Sequence, residues 1–127
     1  PEMPRRLAAN GTPLSSLMEA LQRVLQEKEP EPEDVDEVVR PLRITVRDRI
    51  RDLTRLLRRG ETLSFEAVVA GEPSRQGVIA SFLAILELLK LGWVQVEQPD
   101  LWQPIRIVPN VQALAESPDE AEIDEYM

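Results

Sequence analysis

The chain has 127 residues, room for one modest domain with appendages, and 43% of them are hydrophobic against only 4% aromatic, so its core must be built from aliphatic side chains. A net charge of -8, from 23 acidic and 15 basic residues, argues against a general nucleic-acid binder, because such binding is dominated by neutralising phosphates. Neither cysteine nor histidine occurs, which excludes disulfides, thiol nucleophiles, Ser-His chemistry and His or thiolate metal sites.

The carboxylates sit in no recognisable catalytic motif, so a non-enzymatic protein without metal or cofactor is expected. The absence of cysteine fits a cytoplasmic protein. No apolar run reaches the length of a membrane span, since residues 74–92 are interrupted by Arg75, Glu87 and Lys90. The opening "PEMPRR" reads as a cut from a longer protein.

Residues 1–13 form an aperiodic lead, in which Thr12 is placed to cap a helix with Pro13 in its first position. From there Leu14, Leu17, Met18, Leu21, Val24 and Leu25 recur at the spacing of one helix face. Segment 14–29 is thus an amphipathic helix, and 30–41 is an acidic, proline-rich linker: "EPEPEDVDEVV", residues 29–39, has six acids and two prolines. A lone helix of this length needs a docking surface. The favoured reading is an isolated helix whose stripe serves another protein or a second copy of this chain, as a homodimer; folding back on its own domain is the alternative.

The globular part is expected at 42–109. "LRITV" reads as a short strand with Thr45 capping the next helix, whose stripe is Val46, Ile50, Leu53 and Leu57 and whose stop is Arg58-Arg59-Gly60. "LSFEAVVAG" reads as a brief helix capped by Ser64, with Ala67 and Val68 facing inward. Ser74 opens a third helix that Gly92 ends. "WVQVEQ" and "PIRIVP" then alternate as the two strands of a hairpin, with Leu101 and Trp102 in its loop. Residues 110–127 form an acidic tail with six acids and no bases, expected to be solvated or weakly docked. The fold class is mainly α with a small β-hairpin, a winged helix in the order strand, helix, helix, helix, hairpin.

On the third helix Val78, Phe82, Ile85, Leu88 and Leu89 share the face assigned to the core. The other side collects Gln76, Ala80, Leu83, Glu87 and Lys90, with Ile79 and Leu86 at its margin. A DNA-reading helix would offer donors there, whereas this one offers aliphatics and a carboxylate. Ile79 and Leu83, four residues apart and rimmed by Gln76 and Lys90, suit a protein contact, unless wing or tail covers them. Residues 40–59 carry eight arginines against Asp48 and Asp52. Arg47, Arg51, Arg55 and Arg58 line one side of their helix, as a solvated face paired with those aspartates or neutralised by the acidic linker, or as a non-specific DNA phosphate contact.

The ordered series "ITVRDRI", "LSFEAV" and "SFLAILELLKLGWVQVEQ" resembles the C-terminal winged-helix domain of segregation and condensation protein A, the kleisin of bacterial condensin, over about residues 42–108. "LSSLMEALQRVLQ" resembles the middle segment of the same family. The resemblance implies docking on the ATPase head of an SMC protein, with Gln76, Ile79, Leu83, Leu86 and Lys90 on the contact helix. It also implies that Leu14, Leu17, Met18, Leu21, Val24 and Leu25 engage a dimer of segregation and condensation protein B. The implied role is a non-enzymatic bridge between SMC heads in chromosome condensation and segregation, nucleoid-associated. Tryptophan at position 102 departs from the family's wings, and the family's N-terminal helical domain has no counterpart in these residues. A winged-helix transcription regulator binding DNA through the same fold is the rival reading.

Overall fold

The structure is a computed structural model that describes residues 13–28, 41–100 and 103–116. The elements follow as α1 (Pro13–Glu27), α2 (Leu42–Arg58), β1 (Leu63–Ser64), α3 (Phe65–Ala70), α4 (Arg75–Leu91), β2 (Val94–Glu97), β3 (Arg106–Pro109) and α5 (Val111–Ala115). Helices α2, α3 and α4 carry a three-stranded antiparallel sheet in the order β1-β3-β2. Its register sets Leu63 opposite Ile107 and Glu97 opposite Arg106. The fold is mainly helical and winged-helix-like.

Local chemistry fixes the joints. The Ser64 hydroxyl accepts from the Ala67 amide and the Ser74 hydroxyl from the Gly77 amide, so both helices start on side-chain caps. Gly92 ends α4 at φ 80, where the Trp93 amide donates to the Leu88 carbonyl and the Gly92 amide to the Leu89 carbonyl. This paired closure needs a left-handed residue, which glycine adopts without a Cβ penalty. The hairpin is tied to α3 from both sides: the Phe65 amide donates to the Ile105 carbonyl, and the Ile105 amide donates to the Glu66 carboxylate.

The expected strand over "LRITV" is a turn of helix. Pro41 stands at the N-cap of α2, and the amides of Ile44 and Thr45 both donate to its carbonyl. Thr45 caps nothing; its hydroxyl turns back to that same carbonyl inside the helix. Two β-branched residues favour a strand locally, but Val46, Ile50, Leu53 and Leu57 continue at helical spacing and are all buried, so packing overrides propensity. The first strand lies instead at Leu63–Ser64, giving the order helix, strand, helix, helix, hairpin.

Two further expectations change. In α3 the inward residues are Phe65 and Val69; Ala67 is exposed and Val68 half-buried. Phe65 meets Phe82 edge to face at 6.2 Å, the one aromatic pair of the core among the described residues. The start of the acidic tail is a docked helix: Asn110 caps α5, its amide and side chain hold the Trp93 and Gly92 carbonyls, and Leu114 is buried. Leu101, Trp102, Thr12, the linker from residue 29 to residue 40 and the tail beyond Glu116 lie outside the described residues.

The largest correction concerns α1. It is not isolated: it packs against α3 and α4, with Leu17 and Ala20 at 0% exposure and Leu21 and Val24 also in the core. Its last turn is anchored by Lys28, whose ammonium donates to the carbonyls of Ala70 and Glu72. The stripe therefore closes in cis, and a homodimer through it would first have to undock it. Leu14 and Met18 remain exposed, at 53% and 40%.

Because α1 belongs to the same core, Leu17→Ala should destabilise the whole globule. The expected loss is about 2–5 kcal/mol, a transfer plus cavity cost, seen as one cooperative thermal transition shifted downward. An unshifted core transition would mean that α1 contributes nothing to it.

Candidate functional site: the outer face of α4

Helix α4 is apolar around most of its circumference because four elements, α1, α2, α3 and β2, pack on it. Gly77, Val78, Ala80, Ser81, Phe82, Ala84, Ile85 and Leu88 are buried, an arc of roughly 200° at 100° per residue. Ala80 was expected on the outer side; it is fully buried. What remains outward is Arg75, Gln76, Ile79, Leu83, Leu86, Glu87 and Lys90.

The five residues Gln76, Ile79, Leu83, Leu86 and Lys90 thus share one face, but they differ in their surroundings. Leu83 and Leu86 are half-buried and lean on the core, whereas Ile79, also half-buried, is not among the aliphatics packed against it. Leu83, Leu86, Glu87 and Lys90 form one wall of an open groove whose other wall is Leu42, Arg43 and Val46 from the start of α2. Glu87 and Lys90 stand 4.0 Å apart at its rim, a weak pair with the lysine 77% exposed.

The α2 wall was missed in the sequence. Its signal was present: Leu42, Val46 and Ile50 are spaced by four, so the helix stripe runs one turn further back than a strand reading allows.

Beside this face lies a second feature that periodicity does not reveal. Glu72, in the turn between α3 and α4, is a buried carboxylate. It accepts two hydrogen bonds from the Arg49 guanidinium of α2, at 2.7 and 2.9 Å, and one from the Ser81 hydroxyl of α4. The bidentate bond to Glu72 raises the pKa of Arg49 above its ordinary value, with burial opposing it, so the guanidinium stays charged. A Cβ on Gly77 would clash with the Glu72 carboxylate, so a side chain there would have to push that carboxylate off Arg49 and Ser81. Glu72 fixes the first turns of α4, and with them the position of Gln76 and Ile79.

Of the arginine stripe, Arg51 pairs with Asp48 at 3.4 Å and Arg55 with Asp52 at 3.3 Å, both at a spacing of three. Arg47, Arg51, Arg55 and Arg58 keep to one flank of α2, away from Arg49 and Glu72. Among the described residues no group of three or more carboxylates could hold a metal ion, and no helix is long and apolar enough to cross a membrane.

Segregation and condensation protein A of Myxococcus xanthus is 38% identical over 113 residues, 87% of this chain and 38% of that protein. The protein of the same name from Desulfitobacterium hafniense is 33% identical over 81% of the chain, and that from Brevibacillus brevis 30% identical over 76%. The chain belongs to the segregation and condensation protein A family. It spans 37–39% of the length of these relatives. No family model matches the chain, and no solved structure matches it.

Replacing Glu72 by alanine leaves Arg49 and Ser81 facing each other without an acceptor. Discounted for the partial exposure of Arg49, the expected cost is about 1–3 kcal/mol in denaturant unfolding. Glu72→Gln, which keeps one oxygen, should lose less, and equal losses would show that the retained neutral oxygen contributes nothing without the charge and the second oxygen.

Proposed function

We propose that this chain is the C-terminal part of a kleisin, a non-enzymatic cytoplasmic adaptor that works at the nucleoid in chromosome condensation and segregation by bridging SMC ATPase heads. The relatives' shared name carries the cellular role. The outer face of α4 carries the contact. Ile79, Leu83 and Leu86 form its apolar centre, Gln76 and Lys90 its polar rim, and the groove against Leu42, Arg43 and Val46 extends it. Each of the larger aliphatics contributes on the order of 2 kcal/mol when covered, enough for a small hot spot within a wider interface.

For a dimer of segregation and condensation protein B, the docked α1 offers only Leu14 and Met18 without rearrangement. Engagement of Leu17, Leu21, Val24 and Leu25 requires α1 to leave α3 and α4, which adds the cost of opening the core to that binding. The rival reading, a transcription regulator, meets an outer face with a carboxylate, leucines and an isoleucine where base-reading donors would be needed.

Ile79 is the most discriminating position, because it belongs to the face and is not among the buried residues of the core. Ile79→Arg and Lys90→Glu should each keep the circular dichroism spectrum and melting temperature of the parent. In pull-down with an SMC head fragment, Ile79→Arg should lose capture by tenfold or more (about 1.4 kcal/mol or above), and Lys90→Glu should weaken it in a salt-dependent way. Full capture by both folded variants would reject this face as the contact.

A further inference from the structure

The groove between α2 and α4 has a charge balance of its own. Its apolar lining is Leu42, Val46, Leu83 and Leu86, and three charged side chains stand with them: Arg43 in the first turn of α2, and Glu87 and Lys90 on α4. Glu87 and Lys90 are 4.0 Å apart and offset each other. Arg43 is exposed, and among the described residues no carboxylate pairs with it. Two cations against one anion leave a single positive charge beside an apolar groove, in a chain whose net charge is -8.

A surface that covers this groove takes the Arg43 guanidinium out of water. Burying a charge without a partner is strongly unfavourable, and the one carboxylate of the groove already faces Lys90. The acceptor must therefore come from the occupant. We propose that the groove takes an apolar ridge of a protein partner that carries one carboxylate, seated on Arg43. A guanidinium suits this task, because its fork of donors holds a carboxylate by two parallel hydrogen bonds and fixes its orientation. A polyanion fits less well, since Glu87 stands in the same groove and repels further negative charge. Arg43 then selects which ridge is accepted, while the leucines supply the gain from burial. The inference rests on the reading of the α4 face as the contact with an SMC head, and it adds the chemistry that the head must present.

Because Arg43 is exposed, Arg43→Gln should keep the circular dichroism spectrum and melting temperature of the parent. With an SMC head fragment as the probe, Arg43→Gln should weaken binding about tenfold and flatten its salt dependence, and Arg43→Lys should restore only part of the loss. Among single Asp→Asn and Glu→Gln variants of the head fragment, one should lose as much as Arg43→Gln and lose nothing more when the two are combined. Ile79→Arg, measured alongside, separates this inference from the reading beneath it. Loss with Ile79→Arg and none with Arg43→Gln overturns the carboxylate contact and leaves the outer face standing. Loss with Arg43→Gln and none with Ile79→Arg supports the carboxylate contact and moves the interface from the outer face into the groove. Additive losses for every head variant overturn the pairing, and no loss with either Arg43→Gln or Ile79→Arg overturns both.

Discussion

The carboxylate of Glu72 is the point on which the helices agree. Its oxygens take the guanidinium of α2 and the hydroxyl of α4, while its own backbone carbonyl takes the ammonium that ends α1. Three helices that are far apart in sequence thus meet at one residue of a short turn. A buried charge costs several kcal/mol unless it is paired and its remaining lone pairs are filled, and here they are filled from two elements at once. That makes the arrangement selective: a shift of α2 along α4, or a rotation of α4, strands a charge. Gly77 belongs to the same constraint, since any side chain there would enter the space of the carboxylate.

The orientation of α4 follows from this constraint, and the division of its surface follows from its neighbours. A helix touched by four elements buries far more than the stripe of an ordinary surface helix, and Ala80, Ser81 and Ala84 are small where those neighbours come close. The excess of apolar residues in the α4 sequence is thereby mostly accounted for by the covering helices, α1 included. Ile79, Leu83 and Leu86 are what this covering leaves over.

How much of this was legible depended on range. The ends of α4 were plain because Ser74 and Gly92 act on their own neighbours, and the cap of α3 at Ser64 was plain for the same reason. The 100° period gave Gln76, Leu83, Glu87 and Lys90 as the outer side with Ile79 and Leu86 at its margin, and it misplaced Ala80, which is buried. "LRITV" misled because its strand preference is local while its helix is enforced by Val46 meeting the core. A two-residue strand such as Leu63–Ser64 carries no period at all; it exists because Ile107 and Arg106 offer it partners. The docking of α1 was invisible for a different reason: an amphipathic pattern states that a face will be covered and does not say by what. Glu72 looked like one acid among many, and only the meeting of Arg49 with Ser81 across 32 residues of sequence sets it apart.

The outer face of α4 and the arginine flank of α2 differ in chemistry, and each would suit a different kind of contact. Around Ile79 and Leu83 the gain comes from removing apolar surface from water, which is short-ranged and little affected by salt. Along Arg51, Arg55 and Arg58 it comes from charge, which is long-ranged and screened within about 10 Å at moderate ionic strength. Glu87 sits among the leucines of the first surface and would repel a phosphate backbone approaching it.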